Sequence, residues 1–307
     1  MNQNHQKFIC VIGAVNVDII AASYVRLIHQ DSNPGTVKIS YGGVGRNIAE
    51  NLSRLGQKVE LITVLGDDYH ANEISGQCDD LGISLQHSLK IENENSSMYI
   101  CINDEKGEMQ MAVSVMEIYD QMTPEFFASR LEIINQAEAV VMDLNLSASA
   151  VKYLCTHVTA PIFVDPVSTR KALKIKPCLK YVYAIKPNRM EAELILGRKI
   201  KTDEDVLSAA KRFLELGVKR VFISLAEQGV CYADQNESGF VRVNKTKIVN
   251  TTGCGDAFMG GMVAGYVQNK GVKECAEMGQ RASRICLKSE DAVSSEMNMK
   301  EIVGDVL

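Results

Sequence analysis

The stretch on which the reading of this chain turns is Asn250-Thr-Thr-Gly-Cys-Gly-Asp-Ala-Phe-Met-Gly-Gly-Met262. Two threonines and two glycines run straight into a helical pattern carried by Ala257, Gly261, Ala264 and Gly265. Gly253 and Gly255 let the backbone turn and lie close to a ligand. The helix that begins here offers unbonded N–H groups and the positive end of its dipole, an anion site whose usual guest is phosphate. Asp256 falls in its first turn. An acid there can be a plain N-terminal stabiliser. It can also be chemical: a carboxylate beside a phosphate cradle repels the anion, but is well placed to take the proton of a hydroxyl attacking that phosphate. Spacing alone leaves the two readings level. The common nucleotide signatures are missing. There is no GxxxxGK[ST], and both Gly43-Val-Gly45-Arg-Asn-Ile48 and Gly253-Cys-Gly255-Asp-Ala-Phe258 fail GxGxxG at its third glycine.

Upstream of this stretch, short apolar runs alternate with helical ones. Residues 8–15, 59–65, 139–144, Ile162–Asp165, 181–185 and 220–225 read as buried strands. Residues 44–55 place Ile48, Leu52 and Leu55 on one helical face with Gly56 as the stop, and 203–216 do the same with Val206, Ala210, Phe213 and Leu214 before Gly217. Near-continuous apolar strands alternating with helices specify an α/β fold: a central, mostly parallel sheet with helices on both faces. Ligands on such sheets bind at the carboxyl ends of the strands. Residues 19–41 and 96–119 break the rhythm. Met98–Asn103 and Met109–Val115 read as strands around the turn Asp104-Glu-Lys-Gly107, and 37–41 as a third. The expectation is a small β-sheet flap standing off the body; the alternative is two ordinary surface insertions.

The chain has 307 residues with 46% hydrophobic and 23% charged, an ordinary globular composition that buries a large core without metal or disulfide staples. A net charge of −5 and the lack of any Lys/Arg block argue against a nucleic-acid surface. No apolar run approaches the roughly 20 residues of a membrane span. The N-terminal run resembles a signal peptide weakly, but Asn16 and Asp18 interrupt it, so a buried strand and a cytoplasmic location are expected. Nine scattered cysteines without CxxC spacing read as reduced thiols, and the histidines at 5, 29, 70, 87 and 157 form no metal pattern.

Two further constellations bear on chemistry. Asn16 and Asp18 follow the first strand, and Gly42, Gly43 and Asn47 open the 44–55 helix. Asn and Asp at such a mouth can bind vicinal hydroxyls, and paired glycines let a ring lie against backbone; alone, each reads equally as a turn cap or a loop. Lys186-Pro-Asn188-Arg-Met-Glu191 follows the 181–185 run, with Asn188 as N-cap and Glu191 completing a capping box, which by itself implies a capped helix and nothing more.

Taken in order, Asn-x-Asp, Gly-Gly-x-x-x-Asn, Lys-Pro-Asn-x-x-Glu and Thr-x-Gly-x-Gly-Asp resemble the motifs of the ribokinase-like (PfkB-type) sugar and nucleoside kinases over essentially the whole chain. Within that superfamily the chain is most similar to the pseudouridine kinases, on Ser32-Asn-Pro-Gly35, Ser40-Tyr-Gly-Gly-Val-Gly-Arg-Asn-Ile-Ala-Glu-Asn-Leu52, Met116-Glu-Ile-Tyr-Asp120 and Val164-Asp-Pro-Val-Ser168. The resemblance implies one domain over 1–307, with a lid formed by about 19–41 and 96–119 that closes on the sugar, excludes water and often makes a homodimer contact. It implies ATP and Mg²⁺, and transfer of phosphate to the 5′-hydroxyl of pseudouridine. It makes Asp256 the base and Gly253, Cys254 and Gly255 the anion hole. Asn16, Asp18, Gly42, Gly43 and Asn47 become the sugar grip. Asn188, Glu191, Ser224, Gly229 and Thr252 become the ATP contacts, with Glu191 reaching the metal through water. Other acceptors (ribose, fructose, adenosine) remain open, as does a non-catalytic sugar- or nucleotide-sensing module.

Four places depart from the pattern, the first after Gly66-Asp-Asp68, where Tyr69-His-Ala-Asn72 stands in place of the glycine the family carries shortly after. Cys254 replaces the usual Ala; a thiol fits that space and leaves the backbone donors intact, so it reads either as a small packing residue or as an acidic, alkylation-sensitive thiol that ATP would protect. Asn250 stands where relatives that use a monovalent cation carry Asp, which argues against K⁺ activation. Val115 stands where the pseudouridine subgroup has Asp.

Overall fold

The computed structural model describes residues 7–243 and 248–304; His5 and the start of the N-terminal run lie outside them. The run at 8–15 yields a strand only over Ile9–Ile12. That strand is the third from one edge of a nine-stranded sheet. The order is Ser238–Val241, Val230–Ala233, Arg220–Ser224, Ala184–Ile185, Ile162–Asp165, Ala139–Asp143, Ile9–Ile12, Val59–Ile62 and Ile83–Ser84. From Arg220–Ser224 onward every neighbour is parallel, and the first two strands are added antiparallel.

Side chains alternate across these strands, and so does their burial. Cys10, Ile12, Val140, Met142, Val164, Val221 and Ile223 enter one core, against the helices Ala148–His157, Arg189–Leu196 and Asp203–Glu215. Ile9, Val11, Val141, Phe163 and Phe222 enter the other, against Val44–Arg54, Tyr69–Asp80, Cys254–Val267 and Val272–Cys286. A sheet buried on both faces has no room for polar alternation, which is why its strands read as continuous apolar runs. Among the described residues no helix is long and apolar enough to cross a membrane.

Three strand assignments are corrected. Residues 13–15 leave the first strand because Gly13 lies against Asp143; a Cβ there would come within 2.3 Å of the Asp143 Oδ2. Residues 59–65 split into Val59–Ile62 and Val64–Leu65, the second pairing with Leu89–Lys90 in a separate two-stranded sheet. The break falls at Thr63, whose N–H donates to the Ser88 Oγ. Of 181–185 only Ala184–Ile185 is strand, since residue 181 ends the 3₁₀ segment Leu173–Tyr181.

The small sheet has four strands, in the order Gly35–Gly42, Asn16–Ser23, Met98–Asn103 and Met109–Val115. Asn16 and Asp18 follow the first body strand and belong to the first strand of the small sheet, Asn16–Ser23. The crossing between the two sheets is pinned at Val15. The buried Tyr119 hydroxyl accepts from the Val15 N–H at 2.5 Å and donates to the Val15 carbonyl at 2.6 Å, and the Ser97 hydroxyl donates to the same carbonyl. Tyr119 belongs to the 3₁₀ turn Glu117–Gln121, so the end of the 96–119 segment folds back into the body core.

Candidate active site

The central strands end in charge. Asp143 closes Ala139–Asp143 and Asp165 closes Ile162–Asp165, while Lys186 follows Ala184–Ile185 directly. With Glu191 and Asp256 they form a cluster in which each residue is less than 10% exposed. Asp143 accepts from the Ala14 N–H at 2.7 Å and from the Asn145 N–H and side-chain amide, which fixes the turn that aims Asn16. The Lys186 Nζ lies 3.0 Å from the Asp165 Oδ2. A Cβ on Gly255 would sit 3.0 Å from that Nζ, so the ammonium lies under the first turn of Cys254–Val267. Burial opposes the Lys186 charge, but the carboxylates of Asp165, Asp256 and Glu191 override it and hold its pKa above the usual lysine value.

Asp256 faces a cavity of about 340 Å³ lined by Asn16, Asp18, Gly43, Asn47, Thr252 and Gly253, among others. The Asn47 side-chain amide donates to the Asp256 Oδ2 at 2.8 Å, and that of Asn16 donates to the Asp18 Oδ1 at 2.7 Å. The other amide atom of each, Asn16 Oδ1 and Asn47 Oδ1, is buried without a partner. A buried acceptor left unpaired costs stability, and a bound partner is one way to satisfy it. Two such acceptors beside the Asp18 carboxylate suit a ligand with several hydroxyl donors. Burial first, and then the negative charge of Asp165, push the Asp256 carboxyl up to about 8; the Asn47 hydrogen bond and Lys186 pull the other way. A carboxyl that titrates near neutrality in a cleft is suited to proton transfer.

The glycine turn at the start of Cys254–Val267 is present, as a positive-φ cap. Gly253 is the N-cap of Cys254–Val267 with φ +79, and a Cβ there would fall 1.9 Å from the Ala292 carbonyl oxygen. Gly43, at φ +97, caps Val44–Arg54, and a Cβ on Gly42 would meet the Asp18 carboxylate at 2.6 Å.

Asn188, Glu191, Ser224 and Gly229 do not line this cavity. Asn188 and Glu191 form the capping box of Arg189–Leu196, with mutual hydrogen bonds of 2.8 and 2.9 Å. Ser224 sits beside them, its N–H donating to the Pro187 carbonyl, and Gly229, at φ +92, turns the chain into Val230–Ala233. The Thr252 N–H is held by the Asn250 Oδ1.

Asp143, Asp165, Lys186, Asn145 and Val167 received no role from the spacing argument. Asn145 and Val167 line the cavity. Val167 is a β-branched residue at φ +67, held by its N–H to the Asp165 Oδ1 at 2.8 Å, a strain of about 1–3 kcal/mol. A signal did exist for the two aspartates: each ends an apolar strand with an acid, at the carboxyl end of the sheet where ligands bind. Nothing in the local sequence marks Val167.

The fold and this site define a class. Residues 6–298 match the family model described as pfkB family carbohydrate kinase, and the chain belongs to that family. It is a kinase of a small hydroxyl-bearing acceptor of the sugar or nucleoside kind. The chain is 34% identical over 301 residues to the pseudouridine kinase of Escherichia coli (strain K12), covering 97% of this chain and 96% of that one. Among solved structures it is similar to a Clostridium perfringens protein named as a sugar kinase, at 33% identity and a TM-score of 0.90 over 97% of this chain and 95% of that one. It also shares the fold of the Arabidopsis thaliana ribokinase complexed with ribose and ATP, at 22% identity and a TM-score of 0.84 over 96% and 97%.

Proposed function

We propose that the protein transfers the γ-phosphoryl group of ATP to the 5′-hydroxyl of pseudouridine. The observation that carries the reading is Asp256, buried, held by Asn47 and placed one turn into the helix whose N-terminus forms the anion hole. Asn16, Asp18, Gly43 and Asn47 hold the ribose hydroxyls and set the acceptor oxygen against Asp256. As that oxygen attacks the phosphorus, Asp256 accepts its proton. The N–H groups of Gly253, Cys254 and Gly255 face the negative charge on the transferring group. Lys186, under the same turn, offsets part of it.

Among the described residues no cluster of three or more His, Cys, Asp or Glu could hold a metal by itself. Mg²⁺, which kinases hold mainly through phosphates and water, would be reached by Glu191 through a water molecule and would neutralise phosphate charge. Both ends of the Asn250 amide are engaged, to the Glu290 carbonyl and the Thr252 N–H, which argues against K⁺ activation. Asn188, Glu191, Ser224, Gly229 and Thr252 form the ATP side of the site, and the small sheet is its lid.

The test is ADP release from Mg-ATP with pseudouridine, uridine, adenosine, ribose and fructose as acceptors. The expected result is a pseudouridine-selective signal. A signal with ribose or fructose instead would keep the base and the anion hole and overturn the acceptor, with Val115 the first residue to revisit. No turnover with any acceptor would favour a sensing module.

The small sheet also supports a homodimer. Ile39, Ile19, Ile100 and Val113 lie side by side in register, flanked by Val37, Ile102 and Met111 on the same face. Val37 is 63% exposed, Met111 56% and Val113 51%. An apolar face without charge matches a second copy of itself, as a two-fold contact requires. Light scattering should show a dimer that Val113→Lys converts to monomer; a wild-type monomer at micromolar concentration would overturn this.

A further inference from the structure

Two thiols meet under the anion-hole turn. Cys254 is the first residue of Cys254–Val267, and Cys286 is the last of Val272–Cys286. Cys286 belongs to a core cluster against which Cys254 packs, and the Cys254 Sγ lies 3.8 Å from the Asn250 carbonyl oxygen. The Cys286 Sγ is 3.4 Å from the Thr252 carbonyl oxygen and 3.3 Å from that of Ala292, so its thiol sits between the turn and the loop against which Gly253 is packed. Among the described residues, which include all nine cysteines, Cys254 alone is not buried. The hydrogen bond from Cys286 makes Cys254 the more acidic thiol and pushes Cys286 up.

We propose that Cys254 and Cys286 form a reversible disulfide when the protein meets a peroxide, and that this cross-link switches the anion hole off. A low-pKa, accessible cysteine with a second thiol in contact is the arrangement of a peroxide-sensitive pair. The Cys254 thiolate attacks one peroxide oxygen. The O–O bond breaks, the departing hydroxide takes the thiol proton and leaves as water, and Cys254 becomes a sulfenic acid. The Cys286 sulfur then attacks the Cys254 sulfur. The S–S bond forms, the S–O bond breaks, and the second water leaves with the Cys286 proton. Two thiols are oxidised and one peroxide is reduced to two waters.

An S–S bond of about 2.0 Å is much shorter than a thiol–thiol hydrogen bond. Closing it draws Cys254, the neighbour of Gly253, toward Cys286 and takes the Cys286 thiol proton away from the Thr252 and Ala292 carbonyls. A displacement on the order of 1 Å at a phosphoryl cradle can cost about 100-fold in rate. This consequence rests on the proposed kinase activity; the cross-link does not.

The experiment treats the intact protein with hydrogen peroxide, blocks residual thiols, and maps the digest by mass spectrometry. Turnover and thiol state are followed before and after dithiothreitol. The expected result is a peptide pair joining Cys254 to Cys286, lighter by two hydrogens than the free peptides. Turnover should fall at least tenfold and return on reduction, and Cys286→Ser should give neither the linked pair nor a reversible loss. Over-oxidised Cys254 without a linked pair, or a link confined to Cys155 and Cys178, would overturn the proposal. So would a linked pair with unchanged turnover, which would remove the switch. If Cys286→Ser fails to fold, the map of the wild-type protein decides alone.

Discussion

Asp256→Asn should lower kcat by about 10³-fold while raising the melting temperature. The two effects share one cause. In the unfolded chain this carboxyl titrates near 3.8, whereas in the folded protein burial and the Asp165 charge hold its proton on up to about 8. Between those values the folded state binds more protons than the unfolded state, so the group's contribution to stability falls as pH rises from about 4 to about 8. Asparagine keeps the shape and a partner for Asn47 but carries no charge to desolvate. The gain in melting temperature over wild type should therefore grow with pH across that window. Nucleotide binding should persist, because the turn at Thr252 and Gly253 is untouched. In the wild type the base must be ionised, so kcat/KM for the acceptor should rise with pH along a limb near 8. Thermal denaturation and initial rates between pH 5 and 9 check both arms. Normal turnover in the variant would remove Asp256 as the base, and a lower melting temperature across the window would remove the electrostatic account.

Gly253→Ala should be among the most damaging small substitutions in the molecule. The residue sits at φ +79, which costs an L-amino acid roughly 1–2 kcal/mol. The added methyl would also fall 1.9 Å from the Ala292 carbonyl oxygen, a backbone atom that cannot swing away as a side chain can. Either the turn or the loop must shift. We expect a stability loss of about 3 kcal/mol and a fall in kcat of about 100-fold as the cradle moves. Gly56→Ala is the control. Gly56 has nearly the same φ, +76, but nothing lies within 4 Å of a Cβ there. It should lose only the conformational part, about 1 kcal/mol, with kcat unchanged. Equal losses in the two variants would show that the Ala292 contact is unimportant.

The two substitutions separate what was legible locally from what was not. Gly253, Asp256, Asn188 and Glu191 were readable because their roles are set within one turn of chain: a positive-φ cap, a first-turn acid, a capping box. The alternating cores were readable because side-chain direction repeats every second residue along a strand. The pairing of Asn47 with Asp256 crosses 209 positions, and that of Ala14 with Asp143 crosses 129; no spacing rule relates such residues. The split at Thr63 and the early end of the first strand escaped for the same reason, since the partners that stop those strands, Ser88 and Asp143, lie elsewhere in the chain.

The amino-acid sequence by itself determined the fold class, the small sheet in outline and the ordered motifs of the family, because apolar periodicity and turn chemistry act over a few residues. Tertiary structure alone decided the chemistry of the site. It brought Asp165 and Asp143 close enough to lift Asp256 toward neutrality, set Lys186 under the first turn of Cys254–Val267 and left two asparagine oxygens buried and unpaired. It also placed Cys286 against Cys254. Electrostatics and desolvation depend on distances through space and on the exclusion of water, and folding creates both only when the carboxyl ends of separate strands converge.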